Sequence, residues 1–439
     1  MSVSGSPSRT KGSTNRGALS VPPQSWWSRL WSPFWALPLA SIIGAFCLGI
    51  VVPIFDALIA EHVPFLFQGG DDGARTILGA IAAATISVTG LVFSITMVVL
   101  QLSSSQFTPR VIGSFLDSRV AQFTFGVFTG TFVFALTVMR SVGRPDSDSP
   151  VPQTAVSLAF VFVLASVLVL LFFIHHITNS IQVSKVLADI GDHGVGRIID
   201  LYSEDERDLD SQSWQRPSRP RRIAVYAEDR HGCTSQINFS HLVALAESAD
   251  AVIEITQPIG RFHAEGQLLA EMWINPLQDD DSNDGPEERE RAIAKRVANC
   301  FWLEAEPSAR QDPSFSCQQI VDIALRALSP GVNDPTTAVQ ALNEVHRMAR
   351  AAVLRTEPAS ALRDDDENIR VIYQPFGVGV LLDLAFDEIA YYGRDAPAVR
   401  ARIGDVLDDL SENCRPAHRK RIAKKRREIN KIFAGKTPE

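Results

Sequence analysis

TILGAIAAATISVTGLVFSITMVVLQLSSSQ, residues 76–106, decides the fold. No charged residue occurs from Ile77 to Gln106, which is ample length to cross a hydrocarbon core. Its polar residues follow a pattern. Thr85, Thr89, Thr96 and Ser103 recur at spacings of four and seven, and Ser87, Ser94 and Gln101 recur every seven. On a helix of 3.6 residues per turn each set drifts slowly, and the two read as neighbouring stripes. Gly79 and Gly90 add small positions. Lipid offers a hydroxyl no partner, so such a face points at protein or at water. A water-lined path and a packing face both fit, and a hydroxyl can also bond its own i−4 carbonyl.

Around this stretch lie three more apolar runs of spanning length, near residues 34–55, 120–139 and 151–177. The 439 residues have a mean hydropathy of +0.05, but that average hides a division. Up to residue 180 the chain is rich in Val, Leu, Phe, Ala and Gly, and beyond it lies most of the charge. The expected fold is therefore mixed: a four-helix transmembrane bundle followed by a cytoplasmic α+β region. A net charge of −8 gives no whole-protein signal for nucleic acid. The five cysteines form no CxxC pair and no disulfide framework.

The polar tail of residues 1–30, rich in Ser, Gly and Pro, reads as disordered, and the transmembrane domain as 31–180. The loop from Asp56 to Gly73 has no Lys or Arg, whereas the N-terminal tail and the stretch after the fourth run are basic. That asymmetry places both termini in the cytoplasm of a multi-pass protein of the cell inner membrane. In the third run Gly126 and Gly130 form a G-x-x-x-G pair, which permits close helix approach.

A connecting helix is expected over 181–202, with Gly191 and Gly194 ending its apolar run. A linker follows, then a small α+β module over 203–278, with strands at 222–227, 251–255 and 268–274 and a helix capped by Asn238 or Ser240. Residues 279–414 read as a mainly helical module that opens on an acidic junction. Within it, Ser329–Ala338 (SPGVNDPTTA) is a helix–turn–helix corner. Ser329, Pro330 and Gly331 stop one helix, Asn333 or Asp334 caps the next, and Pro335 takes its first position. The final segment, 415–439, is a basic tail with ten Lys or Arg and one Glu between Arg415 and Lys436. Beside an anionic leaflet such a tail is drawn to lipid headgroups; RNA binding and solvation are the alternatives.

Four N-terminal runs, LQLSSSQFTPR at 100–110 and IALRALSPGVNDPTTAV at 323–339 together resemble the bacterial family of predicted membrane proteins called domain of unknown function 2254. Gln106 and Arg110 fall in the first of these motifs, and Ser329 to Pro335 in the second. The resemblance covers roughly residues 30 to 415 and implies location and architecture, not a reaction.

The expected function is an oligomeric pore or transport-related protein with a cytoplasmic regulatory domain; the alternative is a membrane-anchored sensor or scaffold. No nucleophile–base, metal or cofactor pattern calls for an enzyme, and no specific nucleic acid is expected.

Overall fold

The structure, a computed structural model, describes residues 31, 33–56, 67–106, 119–142, 151–180, 182–203, 221–274 and 286–435, with the side chains of 102–106, 180, 286, 287 and 289 excepted. It divides into two compact units, one up to Val186 and one from Leu187 onward.

The first unit holds four helices long and apolar enough to cross a membrane. They are α1 (Ala36–Ile54), α2 (Asp71–Gln106), α3 (Arg119–Met139) and α4 (Gln153–Ser180). Although α2 is the longest, the enclosed helix is α3. Its span is 56% buried, against 11–17% for the others, and α1, α2 and α4 all pack on it. Sequence explains the choice. α3 carries Gly126 and Gly130 on the side facing α1, where a Cβ on Gly126 would stand 2.6 Å from Ser41 Oγ. One turn beyond Gly130, Phe134 meets Phe162 of α4 edge-on at 4.9 Å, and its cluster includes Leu78, Ile81 and Val156. Lipid tails are as apolar as these side chains, so close packing rather than the hydrophobic effect holds the four together.

The second unit begins on α5 (Val183–Leu201), which starts in the first unit and continues here from Leu187. Gly191 and Gly194 were expected to end this helix, and they do not. Both lie at its contact with a later helix, α9 (Pro335–Val353), where side chains do not fit: a Cβ at position 194 would come within 2.6 Å of Met348 Cε. Close approach, not chain reversal, is what these glycines supply.

A five-stranded sheet follows in the order β1-β5-β3-β8-β7. Its strands are β1 (Arg221–Tyr226), β3 (Ala251–Ile255), β5 (Leu268–Ile274), β7 (Ala361–Arg363) and β8 (Ile369–Ile372). All neighbours are antiparallel except β3 and β8. Helix α6 (Phe239–Ser248) packs on β3 and β8, and its N-cap is Asn238, whose side chain accepts from His241 N at 3.1 Å.

A second sheet, β4-β2-β6, is built from Phe262–His263, Gly232–Ile237 and Phe301–Glu304. Its central strand reads GCTSQI, and Thr234, Ser235 and Gln236 are all buried. A strand covered on both faces shows no alternation, so polarity alone reads it as a loop. Helix α7 (Pro286–Ala298) precedes β6.

The rest is helical: α8 (Pro313–Ala327), α9, α10 (Val378–Tyr392), α11 (Pro397–Glu412) and α12 (Arg419–Phe433). α12 is the basic segment, and it folds as an amphipathic helix seated on α10 and α11 by Ile422, Ile429 and Ile432.

Candidate functional site

The two polar sets of α2 stand on opposite faces, not on neighbouring stripes. Thr85 and Ser87 differ by two residues, which at 100° per residue is just over half a turn. Thr85 is buried and Thr89 and Thr96 are half-buried, while Ser87, Ser94 and Gln101 are exposed. Each described hydroxyl donates to its own i−4 carbonyl: Thr85 to Ile81 at 2.8 Å, Ser87 to Ala83 at 2.8 Å, Thr89 to Thr85 at 2.7 Å, Ser94 to Gly90 at 3.0 Å and Thr96 to Val92 at 2.8 Å. The local bonding that the sequence left open is therefore realised, and none of these groups needs a partner to be satisfied. Ser103 and Gln106 belong to α2, but their side chains lie outside the described residues, as does the whole of Arg110.

Thr85 opens onto a groove of about 360 Å³ between α2 and α4, floored by Phe128 of α3 and bordered by Ile81, Val163 and Leu170. At its edge the Ser166 and Thr131 hydroxyls lie 3.2 Å apart. The outward face differs. Ala83, Ser87, Gly90, Ser94, Met97 and Gln101 are all exposed and follow one another at spacings of four and three. That spacing is the seam of a left-handed helix pair, and a Cβ on Gly90 would meet nothing within 4 Å.

One end of the bundle is closed by polar groups. Asp56, just past α1, takes two of the N–H groups at the start of α4: Oδ2 accepts from Gln153 N at 3.2 Å and Oδ1 from Thr154 N at 2.8 Å, with the Thr154 hydroxyl adding a third bond. Arg75 donates to Val142 O at 2.8 Å, and Ser157 Oγ accepts from Phe67 N at 2.9 Å.

In the second unit the corner folds as its residues dictate. Ser329 O accepts from Val332 N at 3.0 Å and from Asn333 N at 2.9 Å, and Asn333 sits at φ +48°, a conformation Asn tolerates. Asp334 is the cap: Oδ1 accepts from Thr337 N at 3.1 Å and Oδ2 from the Thr337 hydroxyl at 2.6 Å. These bonds hold its carboxyl below the usual range. Pro335 occupies the first helical position, while Pro330, Gly331 and Val332 project into solvent.

Helix α9, launched by this corner, is pinned from two sides. Arg347 joins it to Asp192 of α5. Toward α11, His346 Nε2 lies 2.6 Å from Asp409 Oδ2, and Arg402 lies 3.0 Å from His346 Nδ1. Arg has only donors, so Nδ1 accepts and Nε2 carries the proton toward Asp409. Arg350 donates to the other Asp409 oxygen, and these bonds hold that carboxyl below its usual range. The set resembles an acid–base relay, but every member bonds another, and no nucleophile stands among them. Its effect is to lock two helices in register.

The same cap recurs at Asp312, which precedes Pro313 as Asp334 precedes Pro335. Its Oδ1 accepts from Ser314 N at 2.9 Å and its Oδ2 from the Ser314 hydroxyl at 2.6 Å. It is also buried beneath the turn at Gly260, where φ is +86° and a Cβ would stand 2.3 Å from Oδ2. Burial pushes its carboxyl up to about 6. The Asp-Pro dipeptide was the available signal for this residue; nothing local marked Asp56 or the His346–Asp409 pair.

Four apolar helices, each long enough to cross a membrane, with an α+β unit appended, fit a multispan membrane protein. Residues 31–409 match the family described as predicted membrane protein, domain of unknown function 2254, and the chain belongs to that family. Uncharacterised proteins of Mycobacterium bovis and Mycobacterium tuberculosis are 26% identical over 385 residues, covering 87% of this chain and 72% of theirs. No solved structure matches it.

Proposed function

We propose that the protein works as a homo-oligomer in the inner membrane, its copies meeting along the outward face of α2 and enclosing a conduit at their shared axis. One observation carries this reading: Ser87, Gly90, Ser94 and Gln101 lie on the surface that a lone copy turns to lipid. Polar and small residues there lose nothing against a second helix, and the amide of Gln101 gains a partner. The groove between α2 and α4 is apolar, so a polar path is sited between copies rather than within one. Both termini and the second unit are cytoplasmic in this reading, supported by the absence of Lys and Arg from Asp56 to Gly73. The second unit then regulates the conduit through α5.

A second reading follows from the same face. Its hydroxyls are already satisfied by their own carbonyls, so it also suits a dry seam in an anchored sensor or scaffold. Ser87→Cys and Ser94→Cys, each in a Cys47→Ala background, separate the two. Reaction with an impermeant thiol reagent that blocks conductance in reconstituted bilayers supports the conduit. Disulfide cross-linking between copies with no conductance supports the scaffold. Monomeric behaviour with neither result removes the seam. Thr96→Cys, on the opposite face, is the protected control.

A further inference from the structure

Helix α12 sorts its cations by side. On the inner side Lys425 is buried and bonded to Asp387 at 2.8 Å and Glu428 at 2.9 Å, with Asp383 also in contact. On the flanks Arg421 pairs with Glu357 and Arg426 with Asp408. The outer side is different. Lys420, Lys424, Arg427 and Lys431 follow at spacings of four, three and four, which brings all four within about 60° of one helix face. All are exposed, and the only carboxylate among them is Glu428, 3.6 Å from Lys424. The stripe is about 16 Å long at 1.5 Å per residue. It stands opposite Ile422, Ile429 and Ile432, so the packing of the helix fixes which way the charge points.

We propose that this face docks on an anionic bilayer surface. A row of four exposed cations, of which only Lys424 has an acidic neighbour on the helix, is complementary to a plane of headgroup charge, and each such cation near the surface adds to the attraction. The four spans hold the chain at a bilayer permanently, so the surface is present at high effective concentration. Nucleic acid is the less suited polyanion: the exposed face carries Ala423 and Asn430 between its cations and no aromatic ring on which bases stack. The docking requires only attachment to a membrane, not a conduit, so its failure and that of the oligomer reading are separable.

The test uses the full chain in nanodiscs. A fluorophore is placed through Ala423→Cys, with the parent chain as blank, and quenching by headgroup spin-labelled lipid is measured. In discs containing phosphatidylglycerol, quenching should exceed that in pure phosphatidylcholine severalfold. It should fall to the phosphatidylcholine level at about 1 M salt, where exposed charges are screened within about 3 Å. The variant Lys420→Gln/Lys424→Gln/Arg427→Gln/Lys431→Gln should abolish the difference. Should that variant melt earlier than the parent, Lys420→Gln/Arg427→Gln, which removes no ion pair, decides the matter by at least halving it. Quenching indifferent to lipid charge overturns the proposal, as does an RNA oligonucleotide that binds the stripe while lipid quenching is absent.

Discussion

Replacing Asp312 by Asn tests whether burial of this cap costs the second unit stability at neutral pH. The carboxyl is 5% exposed and is pushed from 3.8 to about 6, principally by loss of solvent. At about 1.4 kcal/mol per pH unit the rise corresponds to about 3 kcal/mol. The sign follows from proton binding. Between pH 3.8 and about 6 the folded chain holds the proton more tightly than the unfolded one, so the stability of the parent falls as pH rises through that window and is level above it. Asn keeps an acceptor for Ser314 N and carries no charge, so the variant lacks the fall. Cys317 is the reporter: it is fully buried, its thiol is pushed up to about 12 by burial, and it reacts with a soluble reagent only when the unit opens. Labelling parent and variant side by side at each pH cancels the thiol's own chemistry. The ratio of parent to variant labelling should grow by roughly one to two orders of magnitude between pH 4 and pH 8. A ratio unchanged over that range refutes the reasoning.

Gly194→Val should destabilise the second unit by about 1–3 kcal/mol, because the added atoms meet Met348 of α9 and Ser316 of α8; thermal unfolding measures it. Asp56→Ala should cost about 1 kcal/mol by stripping the cap of α4, seen as earlier melting in detergent, while Asp56→Asn restores most of it. Asp334→Ala should cost about 1 kcal/mol at pH 7. The depressed carboxyl contributes stability above pH 3.8 and loses it as pH falls further, so parent and variant melts should converge in acid.

What sequence could disclose was local. Uncharged runs found the four crossings, and the dipeptide Asp334-Pro335 located a helix start to the residue, because its determinants are neighbours in the chain. The pair Gly126 and Gly130 foretold a close contact, though not that α3 would be the helix at the centre. Caps supplied from afar were illegible. The start of α10 is fixed by Glu357, which accepts from Val378 N at 2.7 Å, and no residue beside Val378 announces it. Asp56 does the same for α4. β2 was hidden because it is covered on both faces and its buried centre is polar, and α12 because a count of charges does not say which charges are neutralised.

The position of α3 has a consequence for biogenesis. Its mean hydropathy over the crossing is 1.5, against 2.1 to 3.0 for the other three, so the least greasy segment is the one most shielded from lipid. During synthesis α3 leaves the ribosome after α1 and α2 and before α4, with partners on two sides already awaiting it. Its entry into the bilayer should therefore depend on α1 and α2, and a chain lacking those two helices should insert α3 less efficiently.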